Sequence, residues 1–389
     1  MITLVTNIGQ LVTPEGRGAA FGARMSDLRV YENVEVVISD GRVESVGPSG
    51  GRTDVSQTID AGGRVALPGL IDPHRHLDAV PSPVGGAVVG CVLRPASQEA
   101  EAVEKRLLRG FRRAALSGTS MIEIKCGSGG GENGEIESLS RAREAARSTP
   151  LRVASTLFAD WPGGGSRSRD DRITEMISEL IPVARRRRLA QFCDVVCGEE
   201  AYSAREAEAI LRAARGAGLG PKLHALGRET DAAALLGEKL RAASVDHLSV
   251  HSPRASAGLR RSGVVSVLLP GAALLSEEAA PDARRMIDDG MAVALGTDFS
   301  FLGSGVESMW VCMALGVAKM GMTLEEGILA CTLNAAAALE SADEAGSIEP
   351  GKFGDLAILD VDDYREIPGS IGGDPAWMTI IDGRPVRSL

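Results

Sequence analysis

The chain has 389 residues, 44% of them hydrophobic and 24% charged, with a formal net charge of −10. This length and apolar share are typical of one large globular domain, or of a large domain with a small companion. The negative charge argues against nucleic acid or an anionic membrane surface as a partner.

Six cysteines occur without a Cys-x-x-Cys pair, and the N-terminal residues lack a basic segment followed by a long apolar one. No apolar run is long enough to cross a bilayer. We therefore expect a soluble, cytoplasmic protein with reduced thiols and no leader peptide.

Residues 1–65 predict a small sheet of short strands and turns. Val34–Ile38 is a β-branched run, Asp40-Gly41 is a turn signal, and Arg42–Val46 follows as the hairpin partner.

From residue 66 the pattern changes to apolar strands that alternate with amphipathic helices. Eight such units over roughly 270 residues predict an α/β fold, a TIM-like (β/α)8 barrel. An open doubly wound sheet is the alternative, disfavoured because no dinucleotide or phosphate-binding glycine motif follows a strand. The predicted strands are Ala66–Ile71, Ser120–Lys125, Arg152–Leu157, Asp194–Cys197, Lys222–His224, Ser244–Leu248, Val264–Leu269 and Ala292–Leu295.

Beyond a helical stretch at Leu324–Leu339, the chain returns to strand patterns at Leu356–Leu359 and Met378–Ile381. We predict that residues 1–65 and 345–389 pair into one composite β-sandwich domain beside a barrel of residues 66–344.

Four of the five histidines and one aspartate stand where predicted strands end: His74, His76, His224, His247 and Asp298. The carboxyl ends of barrel strands carry the active sites of such folds. A lone histidine in an apolar segment is more often a core residue than a ligand. The prediction therefore depends on all five residues occurring at the ends of predicted strands, the first two of them in the motif Pro-Gly-Leu-Ile-Asp-Pro-His-Arg-His.

His74 and His76 are two positions apart, so on a strand they point to the same face. With His224 from strand 5 and Asp298 from strand 8 they supply three nitrogens and one oxygen. This donor set predicts one divalent metal, zinc foremost with iron or manganese as alternatives, and an open position for water. Asp298 is positioned to accept a proton from that water, and His247 to hydrogen-bond the water or the attacked carbonyl oxygen.

These motifs resemble the amidohydrolase superfamily and, within it, the imidazolonepropionase family. The resemblance covers nearly the whole chain and includes Leu67–His76, Gly118–Gly127, Asp194–Cys197, Lys222–Ala225, Asp246–Leu248, Val267–Gly271, Thr297–Phe299, Glu307–Met309 and Gly346–Asp360. It implies a single metal on His74, His76, His224 and Asp298, a catalytic His247, and a homodimer. It also implies hydrolysis of imidazolone-5-propionate to N-formimino-glutamate.

The chain departs from the family pattern in the substrate shell. The family has a glutamate three residues after the strand-5 histidine, where this chain has Gly227. An arginine expected after the His-x-His segment is absent from His76–Pro83, and a tyrosine, a histidine and an asparagine are also replaced. We take as candidate substrate contacts the replacing or neighbouring polar residues Ser128, Asp160, Ser300, Arg94 and Glu229. Asp160 is equally well explained as a helix or loop cap, and an arginine such as Arg94 is more often solvated.

Two charged residues near the motifs are interpreted as structural. Arg75 points away from the histidines on either side of it. Lys125 invites comparison with the carbamylated lysine of other superfamily members, but that lysine normally lies on strand 4. On strand 2, Lys125 is predicted to be an ion-pair partner.

The leading hypothesis is a metal-dependent cyclic amidohydrolase that acts on a small N-heterocycle other than imidazolone-5-propionate. The second is imidazolonepropionase activity with relocated substrate contacts. The third is an aminohydrolase that releases ammonia from a ring, which Gly227 disfavours. The fourth is a non-catalytic metal-binding relative, motivated by the lost glutamate and opposed by the retained histidine set.

Overall fold

The structure, a computed structural model, describes residues 1–76, 100–127, 134–159, 168–198, 201–225, 230–248, 252–275, 280–299, 305–369 and 372–386. Its strands form two eight-stranded sheets. One sheet combines strands from both ends of the chain, and the other is the parallel sheet of the barrel.

The first five strands belong to the sheet that we call the terminal sheet: β1 (Ile2–Pro14), β2 (Leu28–Ser39), β3 (Arg42–Gly47), β4 (Gln57–Asp60) and β5 (Val65–Pro68). Strand β1 pairs antiparallel with β2 and parallel with β4 and β5. The predicted hairpin joins β2 to β3 through Asp40 and Gly41, whose φ angles of 47° and 80° are the left-handed values of a tight hairpin turn.

The predicted strand Ala66–Ile71 divides at Gly69. Val65–Pro68 pairs within the terminal sheet, and Leu70–Asp72 pairs within the barrel. A Cβ atom on Gly69 would lie 2.5 Å from the Ser120 hydroxyl, so the crossing between sheets requires glycine. The terminal sheet therefore extends past residue 65.

The barrel strands are parallel and follow one another around the ring in chain order. They are β6 (Leu70–Asp72), β7 (Thr119–Cys126), β8 (Arg152–Ala159), β9 (Phe192–Cys197), β10 (Gly220–Ala225), β11 (Ser244–Asp246), β12 (Val265–Leu268) and β13 (Ala292–Leu295). The ring closes just beyond β6 and β13, where the Asp298 amide donates to the His74 carbonyl (3.0 Å) and the His76 amide to the Phe299 carbonyl (2.8 Å). The barrel prediction is confirmed, and the open-sheet alternative is wrong.

Helices cover the outside of the barrel. They are α1 (Ala100–Leu116), α2 (Gly134–Ala146), α3 (Arg169–Glu175), α4 (Ile181–Arg186), α5 (Ala204–Gly216), α6 (Thr230–Leu240), α7 (Pro253–Ser262), α8 (Pro270–Leu275), α9 (Ala283–Asp288), α10 (Met309–Met320), α11 (Leu324–Ala330) and α12 (Leu333–Ala338).

Two helical segments are interrupted. A π-helical turn at Met176–Leu180 separates α3 from α4, next to Pro182, which has no N–H for the helical ladder. The predicted helix Leu324–Leu339 breaks at Thr332, whose φ and ψ are −127° and −93°. Its hydroxyl donates to the Ile328 carbonyl at 2.7 Å, which satisfies a carbonyl at the end of α11.

The C-terminal strands β14 (Leu356–Leu359), β15 (Ala376–Ile381) and β16 (Arg384–Pro385) complete the terminal sheet, as predicted. Strand β14 pairs antiparallel with β5. A Cβ atom on Gly354 would lie 2.3 Å from Cγ2 of Ile38, so β2 packs closely over the start of β14. The sheet thus encloses its own apolar core, distinct from the core around the barrel.

No helix in the described part of the chain combines the length and the apolar character needed to span a bilayer.

Candidate metal centre

Five side chains from four places in the sequence meet at the carboxyl-terminal mouth of the barrel. His74 and His76 follow β6, His224 lies in β10, His247 follows β11 and Asp298 follows β13. The side chains of His74, His76, His224 and Asp298 are at most 6% exposed, whereas that of His247 is 20% exposed. His247 therefore lies nearest to the opening through which a substrate would enter.

The donor atoms have the spacing of ligands around one ion. The Nε2 atoms of His74 and His76 are 3.1 Å apart, and Oδ1 of Asp298 lies 3.5 and 3.6 Å from them. A ring nitrogen of His224 falls within the same 4.8 Å cluster as those of His74 and His76. With zinc–nitrogen bonds of about 2.0–2.1 Å, tetrahedral donors lie about 3.3 Å apart, so the spacings among His74, His76 and Asp298 suit a single metal ion, and His224 shares the cluster of the two histidines.

Carboxylates fix the orientation of two of the histidine rings. Nδ1 of His74 is 2.7 Å from Oδ2 of Asp246, and Nδ1 of His224 is 3.3 Å from Oδ2 of Asp194. A carboxylate at Nδ1 holds the proton there and leaves the Nε2 lone pair for a metal. Burial lowers the pKa of His74 and of His76 well below the usual histidine range, which keeps both rings neutral and able to ligate.

Hydrogen bonds between the first and eighth strands hold the backbone around Asp298 in place. Asp72 accepts hydrogen bonds from the Thr297 hydroxyl (2.6 Å) and the Thr297 amide (3.1 Å). Together with the Asp298-to-His74 backbone bond, this ties the eighth strand to the first. Burial raises the pKa of Asp298 to about 7, and a bound cation would lower it.

Arg75 has the structural role that its direction predicts. Its guanidinium is buried, pairs with Glu307 at 2.5 Å and lies 4.6 Å above the Phe299 ring. Arg113 of α1 also pairs with Glu307 at 2.5 Å. These contacts connect the segment that contains His74 and His76 to Phe299 and to Glu307.

His247 and Asp298 both adopt left-handed backbone conformations, with φ angles of 60° and 50°. Such angles cost an ordinary L-residue about 1–2 kcal/mol, and they cluster at functional sites. These backbone conformations direct both side chains to the barrel mouth, where Nε2 of His247 is 3.9 Å from Oδ1 of Asp298.

Replacing His247 with glycine should leave the protein about 1 kcal/mol more stable than replacing it with alanine, because only glycine relieves the left-handed strain. Both variants lose the imidazole, so their activities should be equally low. Urea unfolding of the two proteins measures the difference. Equal midpoints, or a more stable alanine variant, would show that the conformation carries no strain.

Beneath the cluster, the barrel interior is charged where such barrels usually hold branched apolar side chains. Glu123, Lys125, Asp194, Lys222 and Asp246 are all fully buried. Lys222 donates to Glu123 at 2.5 Å, and Lys125 bonds Glu123, Asp194 and Asp246. The prediction that Lys125 is an ion-pair partner is confirmed. Sequence reasoning missed the other four as a network, although each stands as a charge within an apolar strand.

The charges of this network match a divalent ion. When all are ionised, Asp298, Glu123, Asp194 and Asp246 are four carboxylates against the two ammonium groups of Lys125 and Lys222, and the buried pair Asp72 and Arg75 adds no net charge, so these groups together carry two negative charges. A divalent cation among the histidines would neutralise them. Buried charge without such compensation is costly.

The predicted substrate contacts Ser128, Asp160, Ser300, Arg94 and Glu229 lie outside the described residues, as does Gly227. Within the described part, Phe158 at the end of β8 lies beside the cluster. Its ring centroid is 5.1 Å from that of His76 and 5.1 Å from that of His224. One wall of the site is therefore aromatic.

Comparisons with known proteins agree with this architecture. The model of the amidohydrolase family matches residues 65–386. The imidazolonepropionase of Bacillus velezensis is 33% identical over 412 residues, covering 99% of this chain and 97% of its own length. That of Geobacillus kaustophilus is 34% identical over 406 residues, covering 97% and 96%. Among solved structures, an adenosine deaminase from Xanthomonas campestris with bound zinc shares the fold, with a TM-score of 0.76, 17% identity and coverage of 98% and 92%.

Proposed function

The chain belongs to the amidohydrolase family and is a hydrolase of carbon–nitrogen bonds in cyclic amides, and from this premise we propose that it opens the ring of a small imidazolone-, lactam- or hydantoin-like heterocycle. The reaction would add water across the ring C–N bond and give a ring-opened acid.

One observation carries this proposal: three imidazoles and the Asp298 carboxylate lie close together at the barrel mouth. The buried charged groups around them sum to two negative charges, which a divalent cation would neutralise. We propose His74, His76, His224 and Asp298 as ligands of a single divalent cation. Zinc is the first candidate and iron or manganese the alternatives, because the donor set suits all three. When bound, the cation would polarise the ring carbonyl and lower the pKa of the attacking water.

The chain's own residues then divide the remaining work. Asp298 lies against the ligand cluster, where its carboxylate can accept the proton of the water that attacks the carbonyl carbon. Its conjugate acid can return that proton to the departing ring nitrogen. His247 is held neutral because burial lowers its pKa well below the usual range. It can therefore donate one N–H to the oxyanion that forms as the carbonyl is attacked.

Imidazolonepropionase activity itself is the second candidate. It is favoured by the two relatives that match along almost the entire chain. It is opposed by Gly227 and by the replaced polar residues of the substrate shell. Loss of the expected arginine and tyrosine would remove groups suited to hold a propionate, so we rank a neutral or cationic ring above it.

The experiment that separates the two candidates is the ultraviolet decay of imidazolone-5-propionate with metal-loaded protein. The leading proposal expects no turnover of this compound, and turnover of another cyclic amide to a ring-opened acid. Rapid decay of imidazolone-5-propionate that an Asp298→Asn variant lacks would establish the second candidate. Release of ammonia from any ring substrate would instead indicate an aminohydrolase.

We also propose a homodimer in the cytoplasm, on the strength of the family resemblance. The domain division that we propose joins residues 1–65 to 345–389 and separates them from the barrel of residues 66–344. Strand β5 crosses the boundary at residue 65 and pairs with β1 and β14 of the terminal sheet. Light scattering of the purified protein measures the subunit number, and metal analysis of the same sample identifies the ion.

A further inference from the structure

One of the two buried ammonium groups beneath the candidate metal centre, that of Lys125, contacts two aspartates at once. Nζ of Lys125, on β7, is 2.6 Å from Oδ2 of Asp194 and 3.0 Å from Oδ2 of Asp246. The lysine side chain and both aspartates are fully buried. Glu123 provides a third contact at 3.2 Å.

The two carboxylate oxygens that contact Lys125 are the same atoms that contact the histidines. Oδ2 of Asp246 also lies 2.7 Å from Nδ1 of His74, and Oδ2 of Asp194 also lies 3.3 Å from Nδ1 of His224. The Lys125 ammonium is thus connected to two of the proposed metal ligands, to His74 through Asp246 and to His224 through Asp194.

The carboxylates depend on that ammonium for their arrangement. A carboxylate oxygen of Asp194, one of Asp246 and a ring nitrogen of His224 lie within 4.8 Å of one another. Two negative charges this close repel strongly in a buried, weakly screened interior. Without a cation between them, the oxygens would separate or one would take up a proton, and either change would alter the orientation of a histidine ring.

We propose that Lys125 is a positioning residue, which acts through Asp194 and Asp246 to aim His74 and His224 at the metal ion. The proposal rests on the metal-dependent function proposed above, and it assigns Lys125 no contact with substrate. Carboxylates that orient ligating histidines change metal affinity about 10–100-fold when lost. Loss of the lysine that holds two of them should have an effect of that order.

The test compares two buried lysines. Lys125→Met removes the ammonium and keeps a side chain of similar length. Lys352→Met is the matched control, because Lys352 is also buried, donates to the Ala342 carbonyl at 2.7 Å and belongs to the segment that leads into the terminal sheet. Zinc affinity is measured for both variants by competition with a chromophoric chelator, and the visible spectrum of bound cobalt(II) is recorded.

We expect Lys125→Met to bind zinc about 10–100-fold more weakly than the unsubstituted protein, with a shifted cobalt spectrum. Lys352→Met should keep its zinc affinity within about twofold, even where urea unfolding shows that it is destabilised. An affinity and a spectrum unchanged by Lys125→Met would overturn the proposal.

Two further results are distinguishable from that outcome. An unsubstituted protein that binds no zinc, iron or manganese would refute the proposed function, and with it this inference. If Lys125→Met does not fold, Lys125→Gln takes its place, because the amide removes the charge but keeps a donor. Wild-type zinc affinity in that variant would equally overturn the positioning role.

Discussion

An Asp298→Asn variant should retain its fold and its metal ion but lose turnover by roughly 10³-fold, the usual contribution of a well-placed general base. Asparagine keeps an oxygen that can ligate, so three histidines and an amide still surround the ion. The amide cannot accept the proton of the attacking water. We therefore expect kcat to fall far more than metal content, which is checked by measuring both on one preparation.

The control for Asp298→Asn is the same substitution at Asp362, which is exposed. That variant should be indistinguishable from the unsubstituted protein in kcat, metal content and stability. If Asp298→Asn kept a full metal complement and more than about a tenth of the activity, Asp298 would not be the base, and the proton would have to pass to another group.

A Glu123→Gln variant should lose about 3–5 kcal/mol of unfolding free energy, as expected when one member of a buried ion pair is removed. The Glu123 carboxylate accepts from Lys222 at 2.5 Å and from Lys125 at 3.2 Å, and the Thr156 hydroxyl donates to it at 2.5 Å. Glutamine keeps the shape but removes the carboxylate that pairs with Lys222, whereas Lys125 keeps Asp194 and Asp246 as partners.

The matched exposed pair is Glu238 with Arg261, whose side chains are 29% and 62% exposed. Glu238→Gln should cost no more than about 1 kcal/mol, because water and salt already screen the pair. Urea unfolding curves of the two variants give the comparison. Similar small losses in both would mean that the buried network adds nothing to stability.

The clustering of the residues at the strand ends was predictable from the sequence, because a barrel has a regular geometry. His74, His76, His224 and Asp298 each follow an apolar run, and parallel strands in a closed ring bring such positions to one mouth. The hairpin at Asp40-Gly41 was equally readable, since few residue pairs accept two left-handed conformations.

Other features depend on contacts that no local pattern encodes. The division of the predicted first strand at Gly69 follows from the close approach of Ser120, which is distant in sequence. The helix break at Thr332 follows from a hydroxyl bond to the Ile328 carbonyl. Asp194 and Asp246 are both single charges on apolar strands, and only the closed ring shows that they share one lysine.

The pairing of β5 with β14 has a consequence for biosynthesis. Strand β5 is made early, but its antiparallel neighbour begins only at Leu356, after every barrel strand has left the ribosome. Until then one side of β5 has no hydrogen-bond partner from β14, and an open strand edge invites association between nascent chains. A product that terminated before Leu356 would therefore carry the barrel strands β6 to β13 together with an edge of β5 that lacks its β14 partner.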